Sequence, residues 1–304
     1  MSIRRRVYVS MPADPWLTPS ENDLKWGLVE RIEQLGYIPE IFTDPTGRDS
    51  MSAPQAWSAD AAHAVARHCQ GAVIIGLPRW ELQASDGPVF LPTEYCHYEG
   101  ALARTLGLPL LVLAQRRLMR RVVFDMAFGP FVGVFPDDAD RSWLDTREFE
   151  VVFKNHWLKQ LKARKDVFLG YCSRASGLAQ ELRAFLESEL GVTVLDWQRD
   201  FRPGRTILDE IEEARVRSSL GIFLFTKDDH LATAMSGREA APRDNVVFEA
   251  GYFAAAKGKE QVLVVREEGA KMPADLGGDI YGSIEDRRDL DPVKSTIRQF
   301  VGGL

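Results

Sequence analysis

Along the chain, short β-rich apolar runs alternate with longer segments whose apolar residues recur at helical spacing. In the C-terminal half, DVFLGY (166–171) predicts a strand. Leu178, Leu182, Phe185, Leu186 and Leu190 then predict a helix that Gly191 stops. VTVLDW predicts a second strand, TILDEIEEARVRS a helix capped by Thr206, and GIFLFT a buried third strand. DNVVFEAGYFAAAKG follows as a helix capped by Asp244 or Asn245, and QVLVV as the fourth strand. The N-terminal half repeats this order: RVYVS, a helix over Leu24, Leu28, Ile32 and Leu35, YIPEIF, an Ala-rich helix up to Cys69, GAVIIG, a helix from about Thr93, and LPLLVLA. Strand and helix in alternation predict an α/β protein with parallel sheets covered by helices.

The two halves also match each other. A shift of 150 places Gly71 on Gly221, Val73 on Phe223, Glu94 on Asp244, Glu99 on Glu249 and Val112 on Val262, as duplication of one domain type would and as two similar α/β folds without common origin would more weakly. A length of 304 residues suits two domains of about 150 residues each. FKNHWLKQLKARKD has no strand character and is expected to join the halves as a short helix. The expected division is 1–155, a linker over 156–165, and 166–304.

A hydrophobic share of 45% beside 27% charged residues fits a globular chain, and no apolar run approaches the roughly 18 residues of a membrane span. MSIRRRVYVSMP has too short an apolar part for a secretory signal, so the expected location is the cytoplasm. Cys69, Cys96 and Cys172 are odd in number and widely spaced, which fits neither a disulfide framework nor a metal site. A net charge of −6 argues against a protein that coats nucleic acid; RRLMRR (116–121) and KARK (162–165) read as solvated surface before they read as anion sites.

Ligands of open parallel sheets bind beyond the C-terminal ends of the strands. In the second half those positions are Tyr171, Cys172, Ser173 and Arg174, then Trp197 to Arg205, then Lys227 to Asp229. On the helix that follows, Asn245, Glu249, Tyr252 and Phe253 share one face. Glu249 reads either as a solvated helix residue paired with Lys257 or Arg243, or as a shielded carboxylate that stabilises a developing cation. Trp197 could stack on a base, with Arg199, Arg202 and Arg205 for phosphates, or pack under the Arg202-Pro203-Gly204 turn. Asp228 and Asp229 could take ribose hydroxyls or a metal, or form a solvated turn. GxGxxG, Walker A, HExxH and GxSxG patterns are absent, and the five histidines have no metal-ligand spacing.

GRTILDEIEEA, GIFLFTKDD, PRDNVVFEAGYF and MPADLGGDIYGSIED follow one another in an order and spacing that make residues 166 to about 289 resemble the TIR domain of the bacterial family found in CBASS and Pycsar antiphage effectors. The resemblance implies a flavodoxin-like TIR fold and NAD+ glycohydrolase activity. It puts Glu249 at the catalytic position and makes Tyr171, Cys172, Ser173, Trp197, Arg202, Arg205, Asp228, Asp229 and Asn245 the expected contacts of NAD+. NAD+ is then the substrate, with no cofactor or metal. Activity is expected to need homo-oligomeric TIR–TIR contacts, with DWQRDFRPGR completing a neighbour's site. The start VFLGYCSRAS departs from the VFIVHG-like start common in that family. Alternatives in other classes are a nucleotide-binding adaptor without catalysis, and a cyclase or base-exchange enzyme.

The first half is similar to a diverged TIR or nucleoside 2-deoxyribosyltransferase-like domain, through VYVSMP and EYCHYEGALARTLGLPLLVL. The similarity implies a nucleotide-derived activating ligand held by Ser10, Trp16, Arg79, Trp80, Glu94, Tyr98 and Glu99. A structural dimerisation domain is the competing reading. Glu99 directly precedes its glycine, whereas Ala250 separates Glu249 from Gly251.

Overall fold

Apolar runs buried on both faces form the strands, as parallel sheets between helices require. The computed structural model describes residues 3–42, 50–53, 55–129, 131–202, 204–233, 237–273 and 281–303, and their side chains apart from 230–239 and 281. The chain divides into two compact units, Arg5–Ala163 and Arg164–Leu304, with the residues before Arg5 grouped with the second.

The first unit holds β1 (Arg6–Ser10), β2 (Ile38–Glu40), β3 (Cys69–Gly76), the hairpin β4 (Trp80–Ala84) and β5 (Gly87–Leu91), then β6 (Leu110–Gln115) and β7 (Val132–Phe135). Its sheet runs β2-β1-β3-β6-β7, parallel throughout. The second unit holds β8 (Lys165–Gly170), β9 (Val194–Asp196), β10 (Ser218–Phe225), the hairpin β11 (Asp229–Thr233) and β12 (Gly237–Ala241), then β13 (Val262–Glu267) and β14 (Tyr281–Ile284). Its sheet runs β9-β8-β10-β13-β14, again parallel. Each is the doubly wound order 2-1-3-4-5, so the protein has two flavodoxin-like parallel-sheet domains in tandem.

Both units insert an antiparallel hairpin after the third strand, directly before the helix that carries the glutamate, Glu94–Thr105 or Asp244–Lys257. The match between the units is not a uniform shift of 150. Tyr8 pairs with Ala72 and Phe168 with Gly221, so the third strands match at 149. Ala72 pairs with Leu110 and Gly221 with Val262, so the fourth strands match at 152. Ala72 therefore corresponds to Gly221 and Leu110 to Val262, because side chains alternate faces and a one-residue slip would exchange them. Glu94 with Asp244 and Glu99 with Glu249 keep the shift of 150.

Residues expected to join the halves are helical through Ala163 and pack within the first unit. Phe149, Phe153, Trp157 and Leu161 are buried in its core, and the Trp157 indole N–H donates to Pro109 O at 3.1 Å. Their spacing of four drifts off one face of an α-helix. The wider π-helical turns over Val151–Leu158 restore the face, with Phe149 stacked on Phe153 at 4.8 Å and Trp157 tilted against Phe153 at 5.2 Å. The Pro203 turn and residues 274–280 of MPADLGGDIYGSIED lie outside the described residues.

Candidate functional site

The helix Asp244–Lys257 starts with Arg243 at its cap position and without a side-chain cap. Asp244 is in the first turn, where a carboxylate complements the helix dipole, rather than serving as the cap. Its apolar side anchors it: Phe253 is fully buried and stacks on Phe168 at 4.9 Å, with Phe223 edge-on at 5.4 Å. That anchoring aims Glu249 at the end of β8. A Cβ added to Gly170 would collide with the Phe223 ring and come within 3.0 Å of Glu249 Oε2, so glycine leaves the room the carboxylate occupies.

Glu249 is partly buried and, among the described residues, has neither ion pair nor hydrogen bond. Burial alone pushes its carboxyl from the ordinary 4.5 up to about 7. The partners expected for a surface glutamate are engaged elsewhere. Arg243 pairs with Asp229 at 3.3 Å, while burial beside Arg164 and Arg215 holds the Lys257 ammonium well below its usual range.

A cavity of about 690 Å³ opens at Glu249. Of the residues expected to hold NAD+, it brings together Tyr171, Cys172, Ser173, Trp197, Arg202, Arg205 and Asn245. Tyr171 is a buried wall whose hydroxyl donates to Asp196 at 2.8 Å. Trp197 both lines the cavity and packs, its ring 5.6 Å from Tyr171 and its N–H donating to Tyr171 O at 3.0 Å. Arg202 and Arg205 reach the rim but pair with Glu210, at 3.5 and 3.2 Å, and with Glu213.

Asp228 and Asp229 fall outside the cavity. Asp228 is buried, accepting from Thr226 Oγ1 at 2.6 Å and facing Arg287 at 3.4 Å, and Asp229 opens the hairpin beside Arg243. Tyr252 and Phe253, expected beside Glu249, do not line the cavity either. Sequence reasoning did not single out Phe201, Ile207 or Glu210 as lining residues. Ile207, an apolar residue at the first position of a helix, 63% exposed, is the one that composition could have flagged.

The first unit has its own cavity, about 440 Å³, above Glu99. Ser10, Trp16, Arg79, Trp80, Glu94 and Glu99 line it as expected; Tyr98 does not, since it packs edge-on against Trp57 and its hydroxyl donates to Ala59 O at 3.4 Å. Trp57, Tyr95 and Phe42 also line it, with no sequence signal for the first because it enters from the segment before a helix. Glu99 is buried and accepts from Tyr8 Oη and the Trp57 N–H, both at 2.7 Å to Oε1. Burial raises its carboxyl, while hydrogen bonds from Tyr8 and Trp57 work the other way.

The family model described as "CAP12/Pycsar effector protein, TIR domain" matches residues 166–286. The Pycsar effector protein BcPycTIR of Burkholderia cepacia is 28% identical over 130 residues, 42% of this chain and 43% of that protein. CD-NTase-associated protein 12 of Sphingobacterium faecium is 32% identical over 116 residues, 38% of this chain and 35% of that protein. The chain thus spans less than half the length of these relatives. The TIR domain of the Toll-related receptor TRR-2 from Hydra magnipapillata is 17% identical with a TM-score of 0.34, covering 45% of this chain and 98% of that one. Residues 166–286, which build the Glu249 cavity, carry the TIR domain of the CAP12/Pycsar effector proteins.

Proposed function

We propose that the second unit is an NAD+ glycohydrolase of a cytoplasmic antiphage effector, switched on by a nucleotide ligand in the first unit and by self-assembly. One observation carries this: an unpaired carboxylate, its pKa raised by burial, faces a cavity of about 690 Å³ beyond the C-terminal strand ends of a TIR domain. That volume suits a dinucleotide, within the ~300–1,000 Å³ of small-molecule sites.

In this reading Trp197, Phe201 and Ile207 offer flat or apolar walls to the rings. Glu249 accepts from the ribose hydroxyls and faces the carbon joined to nicotinamide. As that bond breaks, its electron pair leaves with nicotinamide and positive charge develops on the ribose. A fixed carboxylate in a low-dielectric site stabilises this transition state more than the ground state. Water then adds to the ribose carbon and releases a proton.

Self-assembly is supported by Ile207 and Leu208, 63% and 56% exposed at the mouth-side helix start. The pairing of Arg202 and Arg205 with glutamates supports a resting state in which neither is available to phosphate. Release of nicotinamide from NAD+, measured across protein concentration and with Glu249→Gln as control, tests the proposal. An adaptor without catalysis would release none under any condition.

No helix among the described residues is long and apolar enough to cross a membrane.

A further inference from the structure

The two glutamates occupy the same turn of the same fold, yet their surroundings are opposite. By strand register Tyr8 stands where the second unit has Phe168, and Ser10 where it has Gly170. An apolar floor and a bare glycine beside Glu249 are thus replaced, beside Glu99, by two hydroxyls. Trp57 adds an indole N–H from outside the sheet. A carboxylate has about four acceptor positions. Tyr8 and Trp57 both donate to Oε1, and the buried Ser10 Oγ has no hydrogen-bond partner among the described residues, which leaves Oε2 for a hydroxyl entering from the cavity.

The rim suits a flat ring. Trp16 and Trp80 are 58% and 48% exposed, with the Arg79 guanidinium 3.6 and 4.5 Å from their ring centres, and Tyr95 packs edge-on against Trp57 at 4.5 Å. Exposed aromatic rings at a pocket mouth are stacking surfaces for bases. Among the described lining residues Arg79 is the one cation, against Glu94 and Glu99. Two or three phosphates would meet net negative charge here, whereas one phosphate would meet a single guanidinium.

We propose that the first cavity binds one nucleoside or nucleoside monophosphate, base against the rim aromatics and a ribose hydroxyl on Glu99, and holds it intact. This deepens the reading of the first unit as the signal-binding half and rests on it. Because Glu249 is not involved, the test is made in full-length Glu249→Ala protein, where NAD+ cleavage cannot report.

Calorimetric titration uses adenosine, uridine, their 2′-deoxy forms, their 5′- and cyclic 3′,5′-monophosphates, and a cyclic dinucleotide. At least one nucleoside or monophosphate should bind, at least tenfold more tightly than its 2′-deoxy or hydroxyl-blocked form. Glu99→Gln should erase that preference while keeping the fold. Trp80→Ala, at the exposed rim, should weaken binding severalfold without touching Glu99. Binding by the cyclic dinucleotide alone, an unchanged preference in Glu99→Gln, silence across the panel, or free base recovered after incubation would each overturn the proposal. Whether NAD+ is cleaved by the wild-type protein is a separate measurement, so either reading can fail alone.

Discussion

Glu249 is a carboxylate that burial keeps partly protonated near neutrality, and two measurable consequences follow. Only the ionised form offsets a developing ribosyl cation, so kcat/KM for nicotinamide release should rise with pH through about 7 and level off above it. A bound nicotinamide ring carries a positive charge that favours the ionised form, so the limb in kcat should lie at lower pH than the limb in kcat/KM. Stability responds in the other direction. A carboxyl whose pKa is raised on folding contributes stability that is present below its unfolded value of 4.5 and is lost as pH rises through about 7. Thermal melts should therefore show Glu249→Gln gaining on the wild type between pH 5 and pH 8, by about 1–3 kcal/mol. Equal melting differences at both pH values would contradict the buried, unpaired state of the side chain. Helical spacing puts Asn245 and Glu249 on one face but leaves Glu249 open between a solvated residue and a site carboxylate; the resemblance of PRDNVVFEAGYF to the TIR family favours the second. The pairing of Arg202 and Arg205 with Glu210 and Glu213 was not legible. Arginines after a strand look the same whether they await a phosphate or are already neutralised across a loop.

Elements with a buried face were legible and elements without one were not. The central strands announce themselves as apolar runs, whereas β4, Trp-Glu-Leu-Gln-Ala, is exposed along its whole length and has no core face to reveal it. The signal that does find its hairpin is Ser85-Asp86-Gly87, a two-residue loop Ser85-Asp86 followed by Gly87 at φ +119° where β5 begins. The edge strands β7 and β14 each carry a glycine, Gly133 and Gly282, which weakens an already short strand pattern. Two elements carry predictions. Gly170→Ala should destabilise the second unit by about 1–3 kcal/mol through overpacking against Phe223, and it should also lower nicotinamide release by displacing Glu249. Loss of stability with unchanged turnover per folded molecule would show that the glutamate does not depend on that gap. Trp157→Ala should cost the first unit about 3–5 kcal/mol in denaturant unfolding, because the ring is fully buried and its N–H holds Pro109 O. A cost below about 1 kcal/mol would mean the helix is a connector and not part of that core.

For the molecule, the repeated strand order and the repeated hairpin before the glutamate helix make two versions of one architecture, one with a bare carboxylate and one with a carboxylate held by two donors, Tyr8 and Trp57. The account assigns them different work: chemistry at Glu249, recognition at Glu99. Assembly belongs to this scale as well. If copies complete one another's sites, turnover per protomer should rise with protein concentration, and Leu208→Asp, outside the cavity lining, should flatten that rise while leaving the fold intact; turnover independent of concentration would remove assembly from the account. The most direct test of the central claim is nicotinamide release from NAD+ by the full-length protein at assembling concentrations, with and without a first-cavity ligand, beside Glu249→Gln. The account predicts release that falls about 10²–10³-fold in the variant, the loss expected when a transition-state charge partner is removed. Release that is undiminished in Glu249→Gln would contradict it.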